Sequence, residues 1–313
     1  MILIYFILST LLPINQVIGR LYPIFGVLLI LMAVTVISGI WVEGYEFPTI
    51  TLENLHPTGK EYFPDMFITV ACGAISGFHA TQSPLVSRCL KDEKDGRAVF
   101  YGSMVLESVI AMVWALAGLA FYGDTSLLAD ALTDEGSSGV VYDIATGVAG
   151  TIGGALAILG VILCPITSGD TALRAARLMI SDDRGYSGTD KKISIIIVSV
   201  LLVFIVILCT LDFTVLWNYF SWLNQTFACI MLWTVTAFIL LEVKNKWYSL
   251  ITALPAIFMT VVVSSFILYS KLGLSMSYDI SVMLGVLIAI IATLVFVKAL
   301  LKKGHKDASA GTS

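Results

Sequence analysis

The chain is short of charge, of histidine and of paired cysteines. Only 13% of its 313 residues are Asp, Glu, Lys or Arg, against about 25% in a soluble domain. That deficit excludes an ordinary water-soluble globule. Three histidines, His56, His79 and His305, lie on separate segments. They make no metal-binding cluster, so neither a metal nor a catalytic constellation is read. The five cysteines (Cys72, Cys89, Cys164, Cys209, Cys229) fall in or beside apolar runs without paired spacing. A disulfide framework or zinc site does not follow from that pattern. No phosphate-cradling glycine loop of the Walker type is present, so nothing supports ATP drive within this chain. No cofactor is expected and no residue is assigned as catalytic. The net charge is -4, and the basic residues are parcelled into short loops. Nucleic acid is therefore not an expected partner.

What the chain has is apolar length. It is 58% hydrophobic, with a mean hydropathy of +0.93. Runs able to cross about 30 Å of hydrocarbon are read at 2–18, 22–42, 63–84, 98–122, 144–166, 193–211, 214–241, 249–270 and 279–300. The expectation is an all-α polytopic membrane protein of nine helices, its scaffold spanning residues 1–301. Residues 302–313 are polar and rich in small side chains, and read as a disordered tail. The first run lacks a basic leading segment and a small-residue cleavage site, so it is not a secretory signal.

Lys and Arg set the expected orientation. Arg20, Arg88–Arg97, Arg174–Lys192, Lys244, Lys246 and the C-terminal lysines fall in alternate connections. These hold 16 of the 18 basic residues, and the other set holds only Lys60 and Lys271. The first set is read as cytoplasmic, which puts the C-terminus inside and the loops 43–62 and 123–143 outside.

Two stretches depart from plain membrane helix. Gly73-Ala-Ile-Ser-Gly-Phe-His-Ala-Thr-Gln-Ser-Pro84 crowds glycine, proline and polar residues into one run. Gly77 permits unusual backbone angles, and Pro84 removes a donor and clashes with the carbonyl of Ala80. A break between Ser76 and Pro84 is expected, with His79, Thr81, Gln82 and Ser83 on a cavity, since irregular backbone survives at membrane depth only there or buried in protein. Cys164-Pro-Ile-Thr-Ser-Gly-Asp-Thr171 repeats the chemistry. Pro165 and Gly169 are read as a second break. Thr167, Ser168, Asp170 and Thr171 then line a pathway, and Asp170 also caps a short helix over Ala172–Ile180. Paired discontinuous helices are a sequence pointer to a transporter's binding site, and the two breaks are expected to share one polar cavity.

Other polar residues divide by depth. Glu107 lies about 15 Å in from the end of its run and is the candidate for proton coupling, or else a structural hydrogen-bonding group. Asn218, Asn224 and Gln225 read as interhelical glue. Arg174 and Arg177 read as cytoplasmic anchors ahead of the alternative, substrate ligands.

Phe78-His-Ala-Thr-Gln-Ser-Pro84, with Arg88-Cys-Leu-Lys-Asp-Glu-Lys-Asp-Gly-Arg97 and Val99-Phe-Tyr-Gly-Ser-Met104, resembles the carbon starvation protein A (CstA) family. So does Cys164-Pro-Ile-Thr-Ser-Gly-Asp-Thr-Ala-Leu-Arg-Ala-Ala-Arg177. The resemblance runs from at least Leu12 to about Lys246. It implies an inner-membrane transporter for peptides or pyruvate-like carboxylates in the response to carbon starvation. It also implies kinship with the amino acid–polyamine–organocation superfamily, whose inverted repeats carry broken helices. Similar proteins have an early His-His-Phe segment and a Gly-Ala-Gly-Pro run without counterpart here. The chain is therefore expected to lack the family's N-terminal helices, with the missing half or an oligomer partner supplied separately. Two readings follow: a secondary transporter, proton-coupled, or a CstA-like membrane protein that does not transport by itself. An intramembrane enzyme is the third, and it lacks a catalytic constellation.

Overall fold

Apolar runs of this length bury backbone polarity only as helices, and every regular element among the described residues is helical. The computed structural model describes residues 14–47, 49, 51–70, 73, 75–186 and 190–310. Most of the expected first run, 2–18, lies outside them. The chain forms two compact units, one from residues up to Lys60 with Thr81–Thr210, the other from Glu61–Ala80 with the chain after Leu211.

The first unit holds α1 (Ile14–Val42), a π-helical turn at Arg97–Gly102 that enters α4 (Ser103–Tyr122), α5 (Thr125–Asp134), α6 (Gly136–Asp183) and α7 (Lys191–Leu208). Val36 and Ile40 of α1 meet Ala117 and Ala120 of α4 and Val140, Ile144 and Val148 of α6 in one buried cluster. Asp124 caps α5, its side chain accepting from the Ser126 N–H at 2.6 Å. The Ser126 hydroxyl and N–H together hold the Asp124 carboxyl below the usual carboxylate range.

α6 is not one rod. Gly150 has φ 59° and ψ -154°, a region open essentially to glycine alone. A methyl group added at Gly153 would overlap the Ala145 carbonyl, and one at Gly154 would overlap the Thr146 side chain. Residues eight apart in a straight helix stand about 12 Å apart, so the chain reverses at Gly150. On the near arm, Ala145 and Val141 pack with Met32, and Val148 lies against Gly39. On the far arm, Gly160 lies against Met32, and Asp170 bonds Tyr22. The near arm thus runs in the direction of α1 and the far arm runs against it. α7 returns along the far arm, with Val198 and Leu202 on Leu173.

The second unit holds α2 (Asp65–Val70), the start of α3 (Gly77–Ser87), α8 (Phe213–Glu242), α9 (Ser249–Tyr269) and α10 (Tyr278–Ala310). α8 and α9 are antiparallel and tied by polar side chains. Trp222 Nε1 donates to Val263 O at 3.0 Å, Trp233 Nε1 to Thr260 Oγ1 at 3.1 Å, and Thr236 and Thr252 hydroxyls meet at 2.8 Å. Gly285 lets α10 approach Ser265 of α9, where any side chain would overlap the serine hydroxyl; small residues allow such close contact in membranes.

Several expectations are corrected. Six helices among the described residues are long and apolar enough to cross a membrane, which makes this a multi-pass membrane protein. The run 63–84 is two short helices. The run 193–211 falls on α7, Lys191–Leu208. The break near Gly77 lies before it, not after: α3 starts at Gly77 and continues through Pro84 to Ser87. Pro84 costs α3 the bond to Ala80 O but does not end it. Pro165 and Gly169 are inside a continuous helical arm, and the departure from helix occurs at Gly150. Ala172–Ile180 is part of that arm rather than a separate short helix. The expected external loop 123–143 contains α5 and the start of α6. α10 runs helical to Ala310, through the stretch expected to be disordered, because Lys302, Lys303, Lys306 and Ala308 all favour helix.

Candidate functional site

Two polar sites emerge, one in each unit. In the second unit, α2 ends at Val70 and α3 starts at Gly77, and α8 bonds to both of those ends. Asn224 Oδ1 accepts from the Phe78 N–H at 2.9 Å, and Ser76 Oγ accepts from the same N–H at 3.2 Å. Ser76 thus stands at the N-cap, where a side-chain oxygen satisfies an orphan donor of the first turn. Asn224 Nδ2 donates in turn to Ser76 Oγ at 3.0 Å. On the other side of the gap, Gln225 Nε2 donates to Ile68 O at 3.2 Å. Gln225 is fully buried. Adjacent residues on one helix therefore serve the two broken ends, a more specific task than the interhelical glue expected of them. Gly77 matters for room rather than for backbone angle. A methyl group there would sit 2.6 Å from Asn224 O and 3.0 Å from Phe227 Cβ.

Downstream of this cap, His79 is half-buried, its ring 6.5 Å from that of Phe78 in an edge-on contact. Gln82 Nε2 reaches Thr81 Oγ1 at 3.4 Å. Ser83 and Pro84 are exposed.

In the first unit, Asp170 is fully buried. Tyr22 of α1 donates its hydroxyl to Asp170 Oδ2 at 3.0 Å and to Thr167 O at 3.2 Å. Arg174, one turn on, lies 3.6 Å from Asp170 Oδ1. Arg177 Nη1 donates to Ser194 Oγ of α7 at 2.8 Å. Asp170 is thus no N-cap; it sits mid-helix as the acid of an ion pair. Arg174 and Arg177 are buried, not the exposed anchors expected. Thr171 Oγ1 donates back to Ser168 O at 3.0 Å and to Thr167 O at 3.2 Å, binding three of the expected pathway residues into one helical turn.

Sequence reasoning found Asp170 but missed Tyr22, Ser194, Ser76 and the pairing role of Asn224 and Gln225. Tyr22 and Ser76 each stand 148 positions from their partners, beyond any local pattern. Glu107 stands midway along its candidate span, Glu93–Tyr122, on an exposed position of α4.

The family described as carbon starvation protein CstA matches residues 1–125. Two proteins of Haemophilus influenzae are similar. An uncharacterized membrane protein is 42% identical over 148 residues, covering 41% of this chain and 40% of that one. An uncharacterized protein is 45% identical over 123 residues, covering 39% of this chain and 87% of that one. The peptide transporter CstA of Helicobacter pylori is 58% identical over 52 residues, 16% of this chain and 8% of the relative. The pyruvate/proton symporter BtsT of Escherichia coli is 46% identical over 56 residues, 18% of this chain and 8% of the relative. The chain therefore matches well under half the length of the relatives named as transporters. No solved structure matches it. With the family's match over the first 125 residues and a relative covered over most of its length, the chain belongs to the carbon starvation protein CstA family.

Proposed function

We propose that this chain is a secondary transporter of the inner membrane that takes up peptides or pyruvate-like carboxylates when carbon runs short, coupled to protons. The observation that supports this reading is that α2 ends at Val70 and α3 starts at Gly77, with Gln225 bonded to the last turn of the first and Asn224 to the first turn of the second. Transporters place substrate and ion where membrane helices are discontinuous. In this reading His79, Thr81, Gln82 and Ser83 of α3 are substrate- or ion-contacting residues, and so, in the first unit, are Thr167, Ser168, Asp170 and Thr171 of α6. Kinship with the amino acid–polyamine–organocation superfamily accords with a broken helix.

The test is uptake by the protein in proteoliposomes, with labelled pyruvate and a labelled dipeptide, under an imposed proton gradient. Uptake of either, accelerated by an inward gradient, supports the reading. Intact insertion with no uptake favours the rival, a CstA-like subunit that does not transport by itself. Glu107 carries the proton in this reading, because a mid-span carboxylate is costly unless paired, protonated or hydrated. Glu107→Gln is expected to abolish the acceleration by the gradient while insertion remains normal; an unchanged rate and pH profile would make Glu107 structural.

The proposed orientation has the C-terminus in the cytoplasm. Ser126 and Asp95 are both exposed, so each accepts a cysteine probe once the exposed Cys89 and Cys209 are replaced. A membrane-impermeant thiol reagent added outside is expected to label position 126 and to miss position 95. The reverse pattern inverts the orientation.

A further inference from the structure

We propose that the buried stripe Asp170, Arg174, Arg177 and Ser181 is a carboxylate-binding site, built at the basic end of the α6 span. This deepens the transporter reading and rests on it for the identity of the ligand.

The four residues recur at intervals of four, three and four, which places them within about 60° of arc on a helix of 3.6 residues per turn. They are 0%, 2%, 8% and 1% exposed. Met179 and Ile180, off that stripe, are exposed. The far arm is thus inverted with respect to a soluble helix, polar inward and apolar outward. Gly150 and Asp170 are separated by about 30 Å of helix, one hydrocarbon thickness. The stripe therefore marks the hydrocarbon boundary on the side rich in Lys and Arg.

A guanidinium that merely anchors a helix at that boundary extends into water. Arg88 and Arg184 do so, their side chains 67% and 71% exposed. Arg174 and Arg177 are drawn inside instead, at the cost of desolvating each cation. Three elements hold them in place. Tyr22 of α1 and Arg174 orient Asp170, and Ser194 of α7 takes one N–H of Arg177. One turn beyond Arg177 on the same stripe, the Ser181 hydroxyl is buried and has no hydrogen-bond partner among the described residues. A planar guanidinium fork matches a carboxylate through two parallel N–H···O bonds, and a neighbouring hydroxyl adds a third donor. The shared chemistry is that of a small 2-oxo acid and of a peptide's C-terminus. The stripe is closed to solvent in this conformation, so a ligand enters by exchanging the Tyr22–Asp170 contact.

The experiment measures ligand-dependent thermal stabilisation and affinity of the whole detergent-purified protein. The probes are pyruvate, a dipeptide, and the same dipeptide as its C-terminal amide. At least one free carboxylate is expected to stabilise the wild type, and the amide to bind about ten- to a hundredfold more weakly, as loss of charge-assisted hydrogen bonds implies. Pyruvate alone or the dipeptide alone identifies the source. Arg177→Gln is expected to erase the difference between acid and amide. Arg177→Lys keeps the charge but loses the fork, and is expected to fall between, which covers the case that Arg177→Gln fails to fold. Equal binding of acid and amide by the wild type, or no carboxylate effect at all, overturns the site. Arg177-dependent binding without uptake leaves the site standing and removes the transporter reading instead.

Discussion

Asp170→Ala is expected to destabilise the first unit by about 3–5 kcal/mol, the range for removing one member of a buried ion pair. The side chain is fully buried, and so is the Arg174 guanidinium that pairs with it. Removing the carboxylate leaves that cation without its ion-pair partner and deprives the Tyr22 hydroxyl of one acceptor. Loss of monodisperse protein on heating, read by size-exclusion fluorescence, measures the effect. Two further variants separate charge from packing. Tyr22→Phe loses one hydrogen bond and is expected to cost only about 1 kcal/mol. Asp170→Leu combined with Arg174→Met replaces the pair by apolar groups of similar bulk and is expected to recover most of the loss, because a buried pair adds little net stability over such a replacement. A double variant no more stable than Asp170→Ala alone would show that the loss comes from packing rather than from the unpaired charge.

Gly77→Val carries the second large effect, and it acts on the broken helix. The new side chain would start 2.6 Å from the Asn224 carbonyl oxygen and 3.0 Å from Phe227 Cβ. Backbone cannot yield as a flexible side-chain tip does, so α8 and α3 must separate. Overpacking of this kind costs about 1–3 kcal/mol. Separation also withdraws Asn224 Oδ1 from the Phe78 N–H while the longer bond to Ser76 Oγ stays, and the hydrogen bond lost costs about 0.5–1.5 kcal/mol more. Faster exchange of the Phe78 amide with deuterium reports the lost cap, and a lower melting temperature reports the strain. Pro84→Ala is the informative contrast. Because α3 already passes through Pro84, restoring an N–H toward Ala80 O is expected to raise stability rather than close the gap upstream. If Gly77→Val leaves the Phe78 amide protected, the cap does not depend on this close approach.

The sequence made the membrane class and most of the long helices legible, because hydrocarbon thickness imposes a run length that composition cannot hide. It also located the first interruption to within a few residues. It misplaced that interruption because Pro84 is a strong local signal, whereas the decisive partner, Asn224, acts from a distant helix. The second interruption went to Pro165 and Gly169 for the same reason. Gly147, Gly150, Gly153 and Gly154 look alike in sequence, and only packing shows that Gly150 bends the chain while Gly153 and Gly154 make room for the arms. Arg174 and Arg177 count toward a basic connection in the sequence but lie inside α6, and counting charges says nothing about which way a side chain turns. Their burial depends on Tyr22 and Ser194, and neither carries a local signature of that role.

The reversal at Gly150 also bears on parity. Asp124 follows directly on the C-terminal end of α4, and at the other end of the excursion Gly147 lies against Phe121 and Val148 against Gly39, near the C-terminal ends of α4 and α1. The stretch 124–150 leaves and rejoins the same end of its unit. It contributes no net crossing, although Gly136–Leu156 is long and apolar enough to be counted as a span. An even-or-odd count that includes it would invert every segment that follows. The far arm supplies the crossing instead, so excising 124–149 as a block would leave the sidedness of Arg184, Lys246 and the C-terminal lysines unchanged.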